Sequence, residues 1–380
     1  MENQFRQYPL EEDILGALDA LGYTQPTEIQ AAVIPSILNG RDIIAKSKTG
    51  SGKTAAFAIP ICNFADWEQN TAQALVLEPT RELAFQVKDE LYAIGRFKRL
   101  KVPVLYGGFP MEKQILTLKQ KTHIVVGTPG RVLDHCKRGT LDLSKVRYVV
   151  IDEADLMLDM GFIHDVTRLL DKMSHRKNLG LFSATISREV MDIAWVYQRD
   201  AAEITVREDE QNKPDIKQFR MEVSQNEKAD VIARILEQTG FDRCMAFCNT
   251  KGSTERITKF LQMQGIDAEC IHGDIPQRKR EQVMDKFRRG ELRVFVSTDV
   301  AARGIDVDDV DIVFNCDVPD ENQDYVHRIG RTGRAKRQGV AVTLIADYPS
   351  KMRIDDIAQK TRNVITPVRF DEHGNLTTES

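Results

Sequence analysis

A glycine-rich segment, SKTGSGKT at 47–54, carries the residue types that bind phosphate groups. Its glycines allow backbone N–H groups to approach an anion, and a helix beginning there would add the positive end of its dipole. Lys53 supplies a full charge, and the hydroxyl of Thr54 suits Mg²⁺. Ser47 stands where the usual phosphate-loop pattern has glycine, and serine is small enough to be tolerated there. The segment therefore predicts a nucleotide phosphate site, the alternative being an ordinary glycine-rich turn.

Two adjacent acids follow an apolar run, in the sequence YVVIDEAD that ends at residue 155. In a protein with a phosphate loop, a carboxylate at the end of an apolar strand is placed to hold Mg²⁺, which would be the role of Asp152. Glu153 could orient and deprotonate an attacking water. The alternative is a strand-to-helix turn capped by Asp155, which the phosphate loop upstream disfavours.

The segment HRIGRTGR at 327–334 is dense in arginine, and AKR extends its positive charge to residue 337. Arginines three residues apart fall on one helix face or on the edge between a helix and a loop. Such a cluster suits a polyanion, the alternative being a solvated basic surface.

Short β-branched or aliphatic runs alternate with helix-length segments throughout the chain. This is the pattern of parallel sheets that are covered on both faces. We predict strands at DIIAK 42–46, ALVLE 74–78, VPVLY 102–106, HIVVG 123–127, YVVID 148–152, LGLFSA 179–184, CMAFC 244–248, AECI 268–271, RVFVST 293–298, DIVFN 311–315 and VAVTLI 340–345.

Between the two series of strands lies VREDEQNKPDIK at 206–217, which has an acidic run, a proline and no periodicity. These features predict a solvated linker. We therefore expect one domain at 1–205 and a second at 218–365, followed by a disordered polar tail at 366–380.

The composition is that of a globular protein with enough residues for two cores: 380 residues, 42% hydrophobic and 29% charged. The formal charge is −4 and the pI is near 6.1, so nucleic-acid binding would have to come from local basic patches. No apolar run approaches the roughly 20 residues of a membrane helix. The polar, acidic N-terminus predicts no signal peptide.

The cysteines form no metal or disulfide framework. Cys244 and Cys248 share a face of the apolar run CMAFC, which favours core packing over metal binding. Reduced thiols and the absence of an export signal predict a cytoplasmic location. We expect Trp67 and Trp195 to serve packing rather than base stacking, and His272 to be structural.

Taken in order, these and further segments resemble the DEAD-box RNA helicase family of superfamily 2, and its bacterial members in particular. The further segments are GYTQPTEIQ 22–30 with Phe5 upstream, PTREL 79–83, GG 107–108, TPGR 128–131, SAT 183–185, FCNT 247–250, QRKR 277–280 and STDVAARGID 297–306. The likeness covers the chain from Phe5 to about residue 360. Two features separate the chain from the related DEAH group: the motif DEAD at 152–155, and His327 rather than Gln as the first residue of the last motif.

The resemblance implies an ATP site with Mg²⁺ held by Thr54 and Asp152. It assigns nucleotide contacts to Phe5, Tyr23, Gln30, Thr49, Gly50, Ser51, Gly52, Lys53, Thr54, Asp152, Gly304, Asp306, Arg331 and Arg334. Tyr23 would pack on adenine, and Gln30 would read its edge with one donor and one acceptor. Asp306 would bond the ribose. Catalysis is assigned to Glu153 as general base, Lys53, and the arginine fingers Arg331 and Arg334.

The resemblance also implies RNA as the partner, bound through its backbone. It places RNA contacts at Arg81, Gly108, Thr128, Arg131, Gly273, Arg280 and Thr298, and coupling between nucleotide and RNA at Asp155, Ser183, Thr185 and His327. Aromatic residues are 7% of the chain and no stacking-platform motif is evident, so we expect little sequence preference.

The fold implied is α/β: two tandem RecA-like domains, each a mostly parallel sheet with helices on both faces. The function implied is local, non-processive RNA unwinding or remodelling, driven by RNA-stimulated ATP hydrolysis that closes and reopens the two domains. Three alternatives are a DNA translocase, an ATP-gated RNA clamp without turnover, and a purely structural α/β protein, which would require every motif to be coincidental. The family core serves ribosome assembly, mRNA decay and cold adaptation, which makes ribosomal or RNA-decay proteins compatible partners; no membrane partner is expected.

Overall fold

The computed structural model describes residues 3–47, 50–206, 215–302, 307, 309–333, 338–361 and 363–378. Its internal contacts divide the chain into two compact units, Met1–Glu208 and Asp209–Ser380. Residues 207–214, within the predicted linker, lie outside the described residues. Among the described residues, no helix has the length and apolar character needed to cross a membrane.

The first unit is a seven-stranded sheet with helices packed around it. Its strands are β1 Ile43–Lys46, β2 Ala74–Leu77, β3 Val104–Leu105, β4 Ile124–Gly127, β5 Tyr148–Ile151, β6 Asn178–Ser183 and β7 Ala202–Thr205. After a 3₁₀ turn at Gln4–Gln7, its helices are α1 Glu12–Ala20, α2 Glu28–Leu38, α3 Lys53–Phe64, α4 Arg81–Ile94, α5 Met111–Leu118, α6 Pro129–Lys137, α7 Ala154–Asp159, α8 Ile163–Asp171 and α9 Arg188–Tyr197.

The strand order in this sheet is β3-β4-β2-β5-β6-β1-β7, and every pairing is parallel. Successive residues of a strand point to opposite faces, so a continuous apolar run fills two cores. In β2, Leu75 packs into one core and Val76 into the other, and both are fully buried. The segments that follow β2, β5, β6 and β1 therefore emerge side by side at one edge of the sheet.

The second unit is an eight-stranded sheet in the order β10-β11-β9-β12-β13-β8-β14-β15. Its strands are β8 Ile216–Glu222, β9 Cys244–Cys248, β10 Ala268–Ile271, β11 Val294–Thr298, β12 Ile312–Asn315, β13 Gly339–Ile345, β14 Ile365–Phe370 and β15 Leu376–Thr378. Its helices are α10 Lys228–Thr239, α11 Lys251–Met263, α12 Gln277–Arg288, α13 Asp299–Ala302, α14 Asn322–Ile329 and α15 Tyr348–Thr361. The pairings are parallel except for the hairpin of β14 and β15.

The predicted α/β class and all eleven predicted strands are confirmed, and the ends of the strands agree with the prediction to within two residues. The shortest is β3, Val104–Leu105, because Pro103 cannot donate to a sheet.

The prediction of a disordered tail at 366–380 is wrong for residues 366–378. There β14 pairs in parallel with β8 and turns back into β15. Strand β8 itself begins at Ile216, inside the predicted linker. Most residues of these strands are half-buried or exposed, whereas a strand such as β9 is buried throughout, so these strands form no continuous apolar run, which is why composition alone missed them.

Candidate functional site

The phosphate loop is shaped by glycines that no other residue could replace without strain. Gly52 precedes α3 with φ 93°, and Gly50 has φ 80°. A Cβ atom at Gly52 would lie 2.7 Å from Nε2 of Gln30. Lys53 and Thr54 lie in the first turn of α3. The backbone N–H groups of a first turn have no acceptor within the helix, so they are available to a phosphate at its N-terminal end. Thr49, a predicted nucleotide contact, lies outside the described residues.

The start of α2 is bonded to this loop. Gln30 completes a capping box with Thr27: its Oε1 accepts from the Thr27 N–H at 2.9 Å. Its Nε2 donates to the Gly52 carbonyl at 3.3 Å, and the Thr27 hydroxyl donates to the Ser51 carbonyl at 3.0 Å. A glutamine amide has two N–H groups and two lone pairs, so Gln30 retains one of each for a ligand.

Phe5 and Tyr23, the two aromatic residues predicted at the adenine site, stack on each other. Phe5 is fully buried and stacks on Tyr23, with ring centroids 6.3 Å apart and an interplanar angle of 25°. The Tyr23 hydroxyl donates to Oε1 of Glu90 at 2.6 Å. Burial, and secondarily Glu90, raise the pKa of Tyr23, so the phenol stays neutral. Phe5 offers no exposed face in this structure and instead supports the ring of Tyr23.

Lys53, Asp152 and Glu153 come together at the edge of the sheet. The Lys53 ammonium lies 2.8 Å from Oε1 of Glu153, and both side chains are largely buried. Burial disfavours the charge on Lys53, but Glu153 and Asp152 outweigh it and leave the pKa raised. For Asp152, burial raises the pKa to about 7; Lys53 opposes the rise and Glu153 adds to it. The backbone of Glu153 adopts the left-handed conformation, with φ 47°, which is strained for a residue with a side chain.

A third buried acid, Glu78, stands at the end of β2 and was not predicted. It is fully buried, and neither carboxylate oxygen has a hydrogen-bond partner among the described residues. Burial, reinforced by Asp152 and Glu153, raises the pKa of Glu78 well above its ordinary value, which keeps it neutral. The signal that pointed to Asp152, a carboxylate at the end of an apolar strand, was also present at Glu78.

Three of the predicted coupling residues form one hydrogen-bonded group. Oδ2 of Asp155 accepts from the Thr185 N–H at 2.8 Å and from the Thr185 hydroxyl at 2.7 Å. The Ser183 hydroxyl accepts from the Asp155 N–H at 3.2 Å and donates to the Thr185 carbonyl at 2.6 Å. Burial would raise the pKa of Asp155, but the bonds from Thr185 and Ser183 prevail and lower it, so it is ionised. The Ser47 N–H donates to the Ser183 carbonyl at 3.0 Å, which joins this group to the phosphate loop.

The four RNA contacts predicted in the first unit lie around the loop after β3. Gly108 has φ 78°, and a Cβ atom there would be 3.4 Å from Nη1 of Arg81, so this guanidinium lies against the loop. Arg131, on α6, donates from Nη1 to the Phe109 carbonyl at 2.8 Å. Thr128 is the N-cap residue of α6, and its own N–H donates to the Leu105 carbonyl at 2.9 Å.

In the second unit, Gly273 is exposed after β10, with Lys251 nearby and bonded to Asp274 at 2.6 Å. Arg280 donates from Nη2 to the Ala301 carbonyl at 3.3 Å, and Thr298 ends β11. His327 is exposed in the last turn of α14, and Arg331 is half-buried just beyond it. Gly304, Asp306 and Arg334 lie outside the described residues.

One arginine of the HRIGRTGR segment is a core residue. Arg328 is 1% exposed, and its Nε and Nη2 donate to the two oxygens of Asp299 at 2.6 and 2.5 Å. Nη1 donates to the Asp317 carbonyl at 2.7 Å, and Nη2 also to Oδ1 of Asn249 at 2.9 Å. The interpretation of the whole segment as a polyanion site is therefore wrong at Arg328, which joins three segments of its own unit.

Cys244 and Cys248 are buried in the core of the second unit, as predicted. Trp67 packs against His123 and beneath the Lys121 ammonium, which also agrees with the prediction. Trp195 is largely exposed near the end of α9, and His272 is buried.

Known families match both units. The DEAD/DEAH box helicase family matches residues 27–193, and the helicase conserved C-terminal domain matches residues 227–336. The chain belongs to the DEAD-box family of ATP-dependent RNA helicases. The predicted resemblance, its bacterial character and the tandem RecA-like fold are thereby confirmed.

Two bacterial relatives resemble this DEAD-box helicase along most of its length. It is 44% identical to the ATP-dependent RNA helicase DbpA of Bacillus subtilis over 93% of this chain and 74% of DbpA. It is 43% identical to the DEAD-box ATP-dependent RNA helicase CshA of Bacillus cereus, over 91% of this chain and 66% of CshA.

Solved structures agree with this assignment. S. cerevisiae Dbp5 bound to RNA and ADP BeF3 matches with a TM-score of 0.84 and 31% identity, over 96% of this chain and 95% of that chain. A DEAD box protein from Methanococcus jannaschii matches with a TM-score of 0.54 and 40% identity, over 96% of this chain and 99% of that chain.

Proposed function

We propose that this DEAD-box helicase uses RNA-stimulated ATP hydrolysis to close and reopen its two units on RNA. The outcome is local, non-processive separation of short duplexes or remodelling of RNA–protein complexes, with little sequence preference. The observation that carries the proposal is the buried group of Lys53, Asp152 and Glu153 beside the phosphate loop. The relatives support it, since DbpA and CshA are named ATP-dependent RNA helicases and the Dbp5 structure contains RNA and ADP BeF3.

ATP binds mainly to the first unit in this proposal. Adenine packs on Tyr23 and is read by the N–H group and lone pair that Gln30 retains beside its bonds to Thr27 and Gly52. Guanine presents the reverse order of donor and acceptor, so the same amide disfavours it. The ribose is bonded by Asp306. The phosphates are bound by loop N–H groups and Lys53, with Gly304 lining the nucleotide from the second unit.

The residues present suit Mg²⁺. Thr54 provides a hydroxyl in the first turn of α3, and Asp152 is a buried carboxyl whose pKa, raised to about 7 by burial, indicates a place that a cation would stabilise. When bound, Mg²⁺ neutralises phosphate charge and withdraws electron density from the phosphorus.

Glu153 is the general base in this proposal and accepts a proton from the attacking water. In the structure its Oε1 accepts a hydrogen bond from the Lys53 ammonium at 2.8 Å, which occupies an oxygen that the attacking water would need. A triphosphate that attracts Lys53 competes with Glu153 for the ammonium. Phosphate binding would thus transfer the Lys53 charge from the base to the substrate and leave Glu153 available to the water.

Hydrolysis requires both units, because the predicted arginine fingers Arg331 and Arg334 lie in the second one and the base lies in the first. RNA that contacts both units favours their closure, and by linkage ATP then tightens RNA binding by the same free energy. The contacts are to the RNA backbone, at Arg81, Gly108, Thr128, Arg131, Gly273, Arg280 and Thr298. His327 takes part with Asp155, Ser183 and Thr185 in coupling the two ligands.

Substitution of the base tests the proposal. Glu153→Gln keeps the shape of the side chain but cannot accept the proton, so RNA-stimulated turnover should fall by roughly 10²–10⁴-fold. ATP-dependent RNA binding should persist, since the residues assigned to both ligands remain. Glu189→Gln, at an exposed glutamate on α9, is the matched control and should retain wild-type turnover.

Near wild-type hydrolysis by Glu153→Gln would contradict the assignment. Equal stimulation of the wild type by DNA and RNA would instead favour a DNA translocase. A cytoplasmic location and ribosomal or RNA-decay partners remain predictions, which a crosslinking map of RNA and proteins in the source cell would test.

A further inference from the structure

Three aromatic side chains form a continuous exposed surface on the first unit. We call Phe85, Tyr106 and Phe109 the aromatic cluster. The ring centroids of Phe85 and Tyr106 are 5.2 Å apart, and those of Tyr106 and Phe109 are 5.4 Å apart. Phe85 is 38% exposed and Phe109 is 36% exposed, and Tyr106 is half-buried between them. Large apolar side chains grouped at a surface usually mark a binding site.

Buried hydrogen bonds hold the loop that carries the cluster. Gln114, on α5, donates from Nε2 to the Tyr106 carbonyl at 2.9 Å. Its Oε1 lies 3.1 Å from Nε2 of His135, and both side chains are buried. At the other end of the loop, Arg131 donates to the Phe109 carbonyl at 2.8 Å. The rings are therefore pre-organised, which lowers the entropy lost when a ligand stacks on them.

Two cations border the cluster: Arg81, which also pairs with Glu82 at 3.5 Å, and Lys113. Arg81 lies one helical turn before Phe85 on the same face of α4, and its guanidinium is against Gly108. The Lys113 ammonium lies over the ring of Phe109, 5.8 Å from its centroid, so a base that stacks on that face would displace it. Aromatic rings interleaved with cations are the arrangement that binds single-stranded nucleic acid, because phosphates meet the cations while bases stack on the rings.

We propose that the aromatic cluster is a stacking platform for an unpaired nucleobase of the bound RNA, with Phe109 as the ring that the base covers. This rests on the proposed RNA binding and deepens it, since Arg81 and Arg131 would hold the phosphates beside that base. Every base has an aromatic face, so stacking adds affinity without sequence preference. It also favours single-stranded over paired RNA at this point, because a base in a duplex is already stacked.

Measurement of RNA affinity with a non-hydrolysable ATP analogue tests the platform. Phe109→Ala should weaken the binding of a single-stranded RNA decamer by roughly 5- to 150-fold, the range of one base–aromatic stack. Phe109→Leu keeps much of the apolar area but lacks the ring, so it should also bind more weakly than the wild type. Tyr92→Ala, at a 53% exposed aromatic residue of the same helix as Phe85, should retain wild-type affinity.

An abasic nucleotide moved along the decamer identifies the stacked position. In the wild type, one position should show a loss of affinity similar to that caused by Phe109→Ala, and in Phe109→Ala the same abasic nucleotide should cause little further loss. Equal affinity of the wild type and both Phe109 variants, or losses that simply add, would overturn the platform. A wild type that does not bind RNA with the analogue would instead contradict the proposed function itself.

Discussion

The structural role of Arg328 can be decided by removing its counter-charge. Asp299 accepts from Nε and Nη2 of Arg328, at 2.6 and 2.5 Å. Asp299→Asn keeps the size of the side chain, but it replaces one acceptor with an NH₂ group that faces an arginine donor. The guanidinium, 1% exposed, would then be buried without the carboxylate that balances it.

Loss of one partner of a buried ion pair destabilises a protein by about 3–5 kcal/mol, because the remaining charge stays desolvated. In a unit of the size of Asp209–Ser380, each kcal/mol shifts the midpoint of thermal unfolding by about 2–4 °C. We therefore expect the second unit of Asp299→Asn to unfold about 6–20 °C earlier than in the wild type.

Two optical signals distinguish the unfolding of the second unit from that of the first. Both tryptophans, Trp67 and Trp195, belong to the first unit, so their fluorescence follows that unit while far-ultraviolet circular dichroism follows both. The early transition should appear in the dichroism and not in the fluorescence. The control is Glu222→Gln, which removes an exposed pair with Lys351, 66% and 44% exposed, and should change stability by about 1 kcal/mol or less.

If Asp299→Asn unfolds together with the Glu222→Gln control, the reasoning is refuted. A variant Arg328→Ala that keeps the wild-type midpoint but loses RNA-stimulated turnover would restore the original interpretation, in which this arginine contacts a polyanion. The two interpretations thus predict opposite changes in two separate measurements.

Three more outcomes follow from the first unit. Burial raises the pKa of Glu78, so the folded protein keeps a proton that the unfolded chain releases above about pH 4.5, and the free energy of unfolding falls as pH rises toward the folded pKa. In urea unfolding, Glu78→Gln should therefore be more stable than the wild type near pH 7 and similar to it near pH 4. Stability curves of the two proteins that run parallel with pH would contradict this. The wild type should hydrolyse ATP in strong preference to GTP, and Gln30→Ala should weaken that preference; equal use of GTP by the wild type would disprove the assignment. Thr185→Val removes the 2.7 Å bond to Asp155 and should reduce unwinding more than RNA-independent ATPase activity, whereas Thr185→Ser should restore it.

Much of the fold could be predicted because both sheets are parallel and buried. An apolar strand such as β4, Ile124–Gly127, is apolar on both faces and stands out from the helices around it. In β8 and β14 only Met221 and Val368 are buried, and the other residues are half-buried or exposed, so neither strand contains a continuous apolar run. Their pairing depends on register with distant strands, which local composition does not report.

The site was predictable where backbone chemistry restricts the residue type. Gly52 must be glycine, and Asp152 follows from its place at a strand end. The aromatic cluster could not be found this way, because Phe85 and Tyr106 are 21 positions apart and meet only through the tertiary fold. The role of Arg328 could not be predicted for the same reason: its partners Asp299 and Asn249 lie just after the ends of β11 and β9, far from it in the sequence.

The contacts at the edge of the first sheet form a closed ring, which bears on how nucleotide and RNA are coupled. The phosphate loop meets β6 where the Ser47 N–H bonds to the Ser183 carbonyl, and the Ser183 hydroxyl bonds to the backbone of Asp155. The turn that carries Asp155 also carries Glu153, whose carboxylate returns to the phosphate loop through Lys53. In the proposed function, a movement of Lys53 toward phosphate would break its bond to Glu153, and we expect the turn that carries Glu153 and Asp155 to shift in response, with the Asp155–Thr185 bonds. The ring is made of packed, hydrogen-bonded groups, so it is the route that the proposed coupling would use, and Thr185→Val tests whether one of its bonds is needed.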